Sequence, residues 1–127
     1  HKNDVSVPVS ATAALADEVT AWFAANRPGW QLALFGHVGD GNLHVNALGP
    51  LELPHAVWRD ACTTADRAVY ALVAARGGSI SAEHGIGLIK KPYLSTTRSA
   101  AEIATMRAVK RALDPGNLLN PGKIFDL

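Results

Sequence analysis

His37, His44 and Glu83 are the side chains of this sequence best suited to holding a metal ion, and His84 adjoins the third of them. The stretch Gly36-His37-Val38-Gly39-Asp40-Gly41-Asn42-Leu43-His44 separates two strand-like runs, residues 30–35 and residues 45–48. Asp-Gly between such runs signals a hairpin, because glycine accepts the positive φ of a tight turn. With Asp40-Gly41 as the turn, His37 faces His44 and Phe35 faces Asn46, all on one side of the ribbon. Opposed Cβ atoms in a ribbon lie about 4.5–5.5 Å apart, so two imidazoles there can chelate one ion. A four-residue loop centred on the same point keeps this register, and an odd-length loop breaks it. Glu83, in a second glycine-flanked segment, is the candidate third donor. Two histidines and one carboxylate leave coordination positions open, as in a catalytic rather than a closed structural site. Zinc is the default for these donors, with manganese, cobalt or iron also suited. The competing reading is that both histidines are ordinary hairpin residues.

Glu83 and His84 are adjacent, and neighbours on extended backbone point to opposite faces. One can face a metal and the other a substrate. His84 is then a candidate general base, since imidazole titrates near neutrality; the plainer alternative is a surface histidine before a glycine turn. Gly36, Gly39, Gly41, Gly85 and Gly87 cluster around these residues, and glycine lets backbone approach a ligand closely. Gly85-Ile86-Gly87 lacks the rest of a dinucleotide fingerprint. There is no Walker A loop, nucleophile elbow or Cys-x-x-Cys. His1 and His55 are expected in solvent, Cys62 as a small buried side chain, and Trp22, Trp30 and Trp58 in a core or interface.

These residues need elements to position them. Residues 5–9 alternate like a strand, with Pro8 favouring an edge or a strand end. Ser10 can cap a helix in which Ala14, Leu15, Val19, Trp22 and Phe23 recur at helical spacing, ending at residues 26–29. After the hairpin of residues 30–48, a second helix is predicted from about Pro54 to Arg76, with a stripe running from Val57 to Val73 and a stop at Gly77-Gly78. Residues 79–82 form a candidate short strand feeding Glu83. Ser99 and Glu102 make a capping box for a third helix carrying Ile103, Met106, Val109 and Leu113, which ends at Asp114-Pro115-Gly116. The turn-rich, partly apolar tail is expected to lie against another surface. This order suggests an α+β fold: a ferredoxin-like, mainly antiparallel sheet with helices packed on one face.

The 127 residues suffice for one domain with a real core, and the 48% hydrophobic content is ordinary for a globular protein. Twelve dispersed basic residues and a net charge of +1 give no nucleic-acid or anionic-membrane surface. One cysteine excludes an internal disulfide and makes a reducing compartment natural. No stretch is apolar for long enough to span a bilayer.

Three segments together, residues 36–44, Glu83-His84-Gly85-Ile86-Gly87, and Asp114-Pro115 through Asn120-Pro121-Gly122-Lys123, resemble the C-terminal region of FAD-linked oxidases. These are the D-lactate, glycolate and D-2-hydroxyglutarate dehydrogenases of the vanillyl-alcohol oxidase superfamily. The opening residues 2–8 are similar to the same family, so the resemblance covers the whole chain in order. It implies that His37 and His44 ligate a divalent metal, usually zinc, with Glu83 as third ligand. It implies that His84 takes the substrate hydroxyl proton, that Asn46 contacts substrate or flavin, and that Asn120 and Lys123 lie near the flavin. The implied reaction passes a hydride from the α-carbon of a 2-hydroxy acid to FAD. FAD would be held mostly by an N-terminal domain that these residues do not contain, and the first part of the substrate domain, which would carry the basic residues for the substrate carboxylate, is also expected to lie outside them. Residues 1–127 are therefore expected to be a single domain, the C-terminal portion of an enzyme, inactive alone. A cytoplasmic setting is expected, with membrane association, a homodimer, the electron acceptor and the particular 2-hydroxy acid left open. Two other classes stand beside this reading: a non-catalytic metal-binding or assembly module, and a zinc hydrolase in which Glu83 or His84 activates water.

Overall fold

The structure is a computed structural model that describes residues 1–127. Strand β1 (Lys2–Ser6), helix α1 (Thr12–Asn26), strands β2 (Gln31–Phe35) and β3 (Asn42–Leu48) and helix α2 (His55–Ala74) follow in that order. β3 lies between β1 and β2 and runs antiparallel to both. Past α2, a single bridge between Ser6 and Ser79 adds a remnant of a fourth strand on the outer edge of β1. This is the α+β, ferredoxin-like plan with helices on one face of the sheet. The short strand expected over residues 79–82 is reduced to that one bridge.

Periodicity explains the packing. α1 buries Leu15, Val19 and Phe23, one per turn, and α2 buries Ala65, Val69, Tyr70 and Val73. They close on Val5, Leu43, Val45 and Ala47 from the sheet, with Val7 and Ile80 completing the core. Inside it, Asn3 Nδ2 donates to Asp66 Oδ1 (2.6 Å) and to the Tyr70 hydroxyl (3.1 Å), tying β1 to α2. Alternate strand residues point the other way. Asp4, His44, Asn46 and Phe35 therefore share the face the two long helices leave open.

Several boundaries differ from the sequence expectation. β1 ends at Ser6, and Pro8 precedes a 3-10 turn over Val9–Ala11. Ser10 lies inside that turn, and the cap position of α1 is Ala11, without a side-chain bond. Asp40-Gly41 is not a two-residue turn. A 3-10 turn over Val38–Asp40 ends at Gly41, whose φ is +67°. Pairing stops two residues earlier, so Phe35, not His37, faces His44, and Ala33 faces Asn46. The loop satisfies its own polar groups: the His37 carbonyl accepts from Asp40 and Asn42 N–H (3.0 and 3.2 Å). The Gly41 carbonyl accepts from Val7 N–H (3.0 Å), so nothing remains to extend the ladder.

α2 does stop at Gly77-Gly78, where the Gly78 N–H reaches back to the Val73 carbonyl. A helical turn α3 (Leu94–Thr97) follows, then α4 (Ala100–Leu113), opened by the Ser99–Glu102 capping box. The apolar stripe of α4 is not core: Val109 is 53% and Leu113 80% exposed. The tail instead crosses α4 at Arg107, whose Nε donates to the Asp126 carbonyl. His1, expected in solvent, is tucked against Asp66 at 2.9 Å because β1 delivers it to the buried side of α2. His55 is exposed and stacked on Trp58, Cys62 is buried, and Trp22 and Trp30 pack against the rim of the core. No helix is long and apolar enough to cross a membrane.

Candidate functional site

The open face of the sheet gathers four elements at one place. β3 supplies His44, and β1 sets Asp4 directly opposite it. The hairpin loop supplies His37. The extended segment after the Ser79 bridge then folds over Asp4, bringing Glu83 and His84. Asp4 makes that crossing possible: its Oδ2 accepts three successive backbone N–H groups, from Ala82 (3.1 Å), Glu83 (2.8 Å) and His84 (2.9 Å). Burial alone would raise the Asp4 carboxyl. The N–H groups of His84 and Glu83, with the charges of Lys90 and His84, outweigh it and hold the carboxyl below the usual carboxylate range. Lys90, itself buried, donates to the Asp4 carbonyl (3.0 Å) and to Ser81 Oγ (3.2 Å). Burial pushes its ammonium down, against the pull of Asp4 and Asp66.

Of the side chains named from the sequence, His37 meets Glu83, and His44 lies beside His84. His37 Nδ1 lies 2.6 Å from Glu83 Oε1. Asn42 Nδ2 donates to the same oxygen at 2.6 Å. The His44 ring is 6.2 Å from that of His37, stacks on His84 at 5.4 Å, and lies 5.1 Å from the ring of Phe35. Asn46 shares the face of His44, between Lys2 and Ala33. The His44 side chain is 13% exposed, against 62% for His37 and 58% for His84, so the cluster opens to solvent along one side. Asn120 and Lys123 make no side-chain hydrogen bond to it. The tail reaches its neighbourhood through backbone, with the Ile124 N–H donating to the Gly87 carbonyl (2.9 Å).

Sequence reasoning missed Asp4 and Asn42. A signal was present, since aspartate and asparagine are depleted in strands and each sits in one here. The donors whose ligand atoms all lie within 4.8 Å of one another are Asp4, His44 and His84, rather than the expected set of His37, His44 and Glu83. Both sets share His44. Imidazole and carboxylate are the donors a borderline divalent cation takes. In addition, Asp4 Oδ1 is buried without a hydrogen-bond partner, 3.6 Å from His44 Nδ1. The residues present fit a divalent metal.

Residues 1–124 match the family described as FAD linked oxidases, C-terminal domain. The chain belongs to that family. Among curated relatives, it is 49% identical over 126 residues to a D-2-hydroxyglutarate dehydrogenase of Xanthomonas citri pv. viticola, covering 99% of this chain and 27% of that protein. It is 44% identical over 125 residues to the D-2-hydroxyglutarate dehydrogenase of Stutzerimonas stutzeri, at 98% and 27% coverage. A D-lactate dehydrogenase of Anaerostipes hadrus is 41% identical over 96 residues, 71% of this chain and 19% of that one. This FAD-linked oxidase domain thus spans about a quarter of the first two relatives.

Proposed function

We propose that residues 1–127 form the metal- and substrate-binding part of a flavin-dependent 2-hydroxy acid dehydrogenase. The observation that carries this reading is the meeting of His37, His44, Glu83 and His84, brought from separate segments to one open face of the sheet. The relatives supply the reaction class, since they are dehydrogenases of D-2-hydroxyglutarate and D-lactate. FAD would be held by an N-terminal domain of the same protein.

When bound, the divalent metal would supply Lewis acidity at the substrate hydroxyl and FAD a hydride acceptor at the α-carbon. The chain's own residues do the rest. His37, His44 and Glu83 would hold the ion, with Asn42 donating to the Glu83 oxygen that also faces His37. His84 takes the hydroxyl proton. Its Nδ1 lies 4.0 Å from Asp4 Oδ2, and its side chain is more than half exposed, so the ring is open to a substrate. Asn46 orients the substrate beside His44, and Phe35 gives the pocket an apolar wall that thins water around the reacting carbon. Asn120 and Lys123 are assigned to the flavin side, through the tail anchored at Gly87.

The test is anaerobic flavin bleaching by the intact protein on mixing with D-2-hydroxyglutarate, D-lactate or glycolate. One of these should reduce the flavin, chelation should stop it, and His84→Gln should slow it by about 10²–10⁴-fold, the usual share of a general base. Wild-type reduction rates in His84→Gln, or no bleaching by any 2-hydroxy acid, would overturn the proposal.

A further inference from the structure

Given the metal reading above, we infer that Asp4 is a positioning residue with two separate tasks: one carboxylate oxygen locks the Glu83-His84 turn, and the other selects which nitrogen of His44 faces the ion. Asp4 belongs to the tightest donor set by distance, yet its bonding argues against ligation. Oδ2 already accepts three backbone N–H groups, from Ala82, Glu83 and His84. A carboxylate oxygen has about two lone-pair sites, so Oδ2 has none left for a cation. Ligation there would release the turn that carries Glu83 and His84.

Oδ1 is the opposite case. It is buried, has no partner, and faces His44 Nδ1 at 3.6 Å. That distance exceeds a hydrogen bond, so the ring must shift toward Oδ1 for the bond to form. An ionised carboxylate only accepts. The nitrogen facing Oδ1 must therefore carry the proton, which leaves the Nε2 lone pair for the metal. Ligating histidines commonly donate their other N–H to a carboxylate, and this partner fixes tautomer and orientation. His44 is mostly buried, with the rings of Phe35 and His84 at 5.1 and 5.4 Å limiting its movement. Lys90 Nζ, 3.8 Å from Oδ2, supplies the opposing charge that lets an ionised carboxylate remain fully buried.

Asp4→Asn separates the two tasks. Its amide oxygen stays on the three N–H groups, since an NH2 there would confront three donors. The NH2 then lands opposite His44, makes Nδ1 the acceptor and moves the ring proton to Nε2. In the intact protein carrying Asp4→Asn, hydrogen exchange should show the amides of residues 82–84 still protected. Nitrogen-15 spectra of labelled histidine in the metal-free protein should show His44 switched in tautomer. Zinc titration should show a dissociation constant raised about 10–100-fold. Asp4→Ala should lose amide protection as well. A wild-type tautomer and wild-type zinc affinity in Asp4→Asn would overturn the inference, as would X-ray absorption or a zinc-bound crystal structure placing the Asp4 carboxylate on the ion. A wild-type protein that takes up no zinc overturns the metal reading instead, while the tautomer and amide protection still decide what Asp4 does in the metal-free state.

Discussion

Two glycines in the loop that carries His37 should respond oppositely to the same substitution. Gly41 has φ +67°, and a Cβ there would lie far inside van der Waals contact distance of the Val7 carbonyl oxygen. An alanine in the left-handed region costs about 1–2 kcal/mol. Relieving the clash means moving backbone, and the adjacent bond from Val7 N–H to the Gly41 carbonyl (3.0 Å) would go with it. A net backbone hydrogen bond is worth about 0.5–1.5 kcal/mol. Gly41→Ala should therefore destabilise the protein by ~2–3 kcal/mol. A Cβ at Gly39 would meet nothing within 4 Å, and the φ of that residue is not positive. Gly39→Ala should be neutral or stabilising by up to about 1 kcal/mol, through the entropy of the unfolded chain. Urea unfolding followed by tryptophan fluorescence reads the difference, since Trp22 and Trp30 pack on the core rim. Zinc titration adds a second readout, because displacing the loop pulls His37 away from Glu83 and weakens binding only in Gly41→Ala. Equal midpoints for the two variants would refute the described contact between the loop and the end of β1.

Asn42→Ala removes the 2.6 Å donor that orients Glu83, and should weaken zinc about tenfold by calorimetry while the fold persists. Val109→Ser with Leu113→Ser should shift the unfolding free energy by no more than about 0.5 kcal/mol per site, since both side chains are more than half exposed. Asp114 titrates low, at about 2, because Lys110 bonds its side chain and the Leu118 and Leu119 N–H groups donate to it. Its folded value is depressed, so its contribution is present above the ordinary carboxylate value of about 3.9 and is lost as pH falls toward 2. Protection of the Leu118 and Leu119 amides should fall across that window, and Asp114→Asn should abolish the pH dependence.

What was legible in the sequence was local. Helical spacing exposed the buried stripes of α1 and α2, and Ser99-x-x-Glu102 and Gly77-Gly78 marked true ends. His37, His44, Glu83 and His84 stood out by residue type among glycines. The misses depended on distant partners. Asp40-Gly41 has the composition of a two-residue turn, and only Val7, more than thirty residues upstream, shows that the loop is wider. Asp4 lay just before the strand-like run of residues 5–9, while the groups that satisfy it are 78 to 80 residues away. The stripe on α4 shows that periodicity identifies an apolar face without saying what covers it.

The register difference left His44 and Asn46 on their expected face for a geometric reason. Side chains on a strand alternate with period two, so a shift of two residues keeps every one on its face, and a shift of one exchanges the faces. In β3, Leu43, Val45 and Ala47 enter the core while Asn42, His44 and Asn46 point to the open face. A one-residue slip would drive an imidazole and two carboxamides into the core and expose its three central apolar side chains. Desolvating those polar groups without partners is far costlier than the lost ladder bonds. The same burial that stabilises the sheet therefore aims His44 at Asp4. A substitution that weakens the core on β3 should also loosen the placement of His44 against Asp4 on the opposite face, because one ladder carries both.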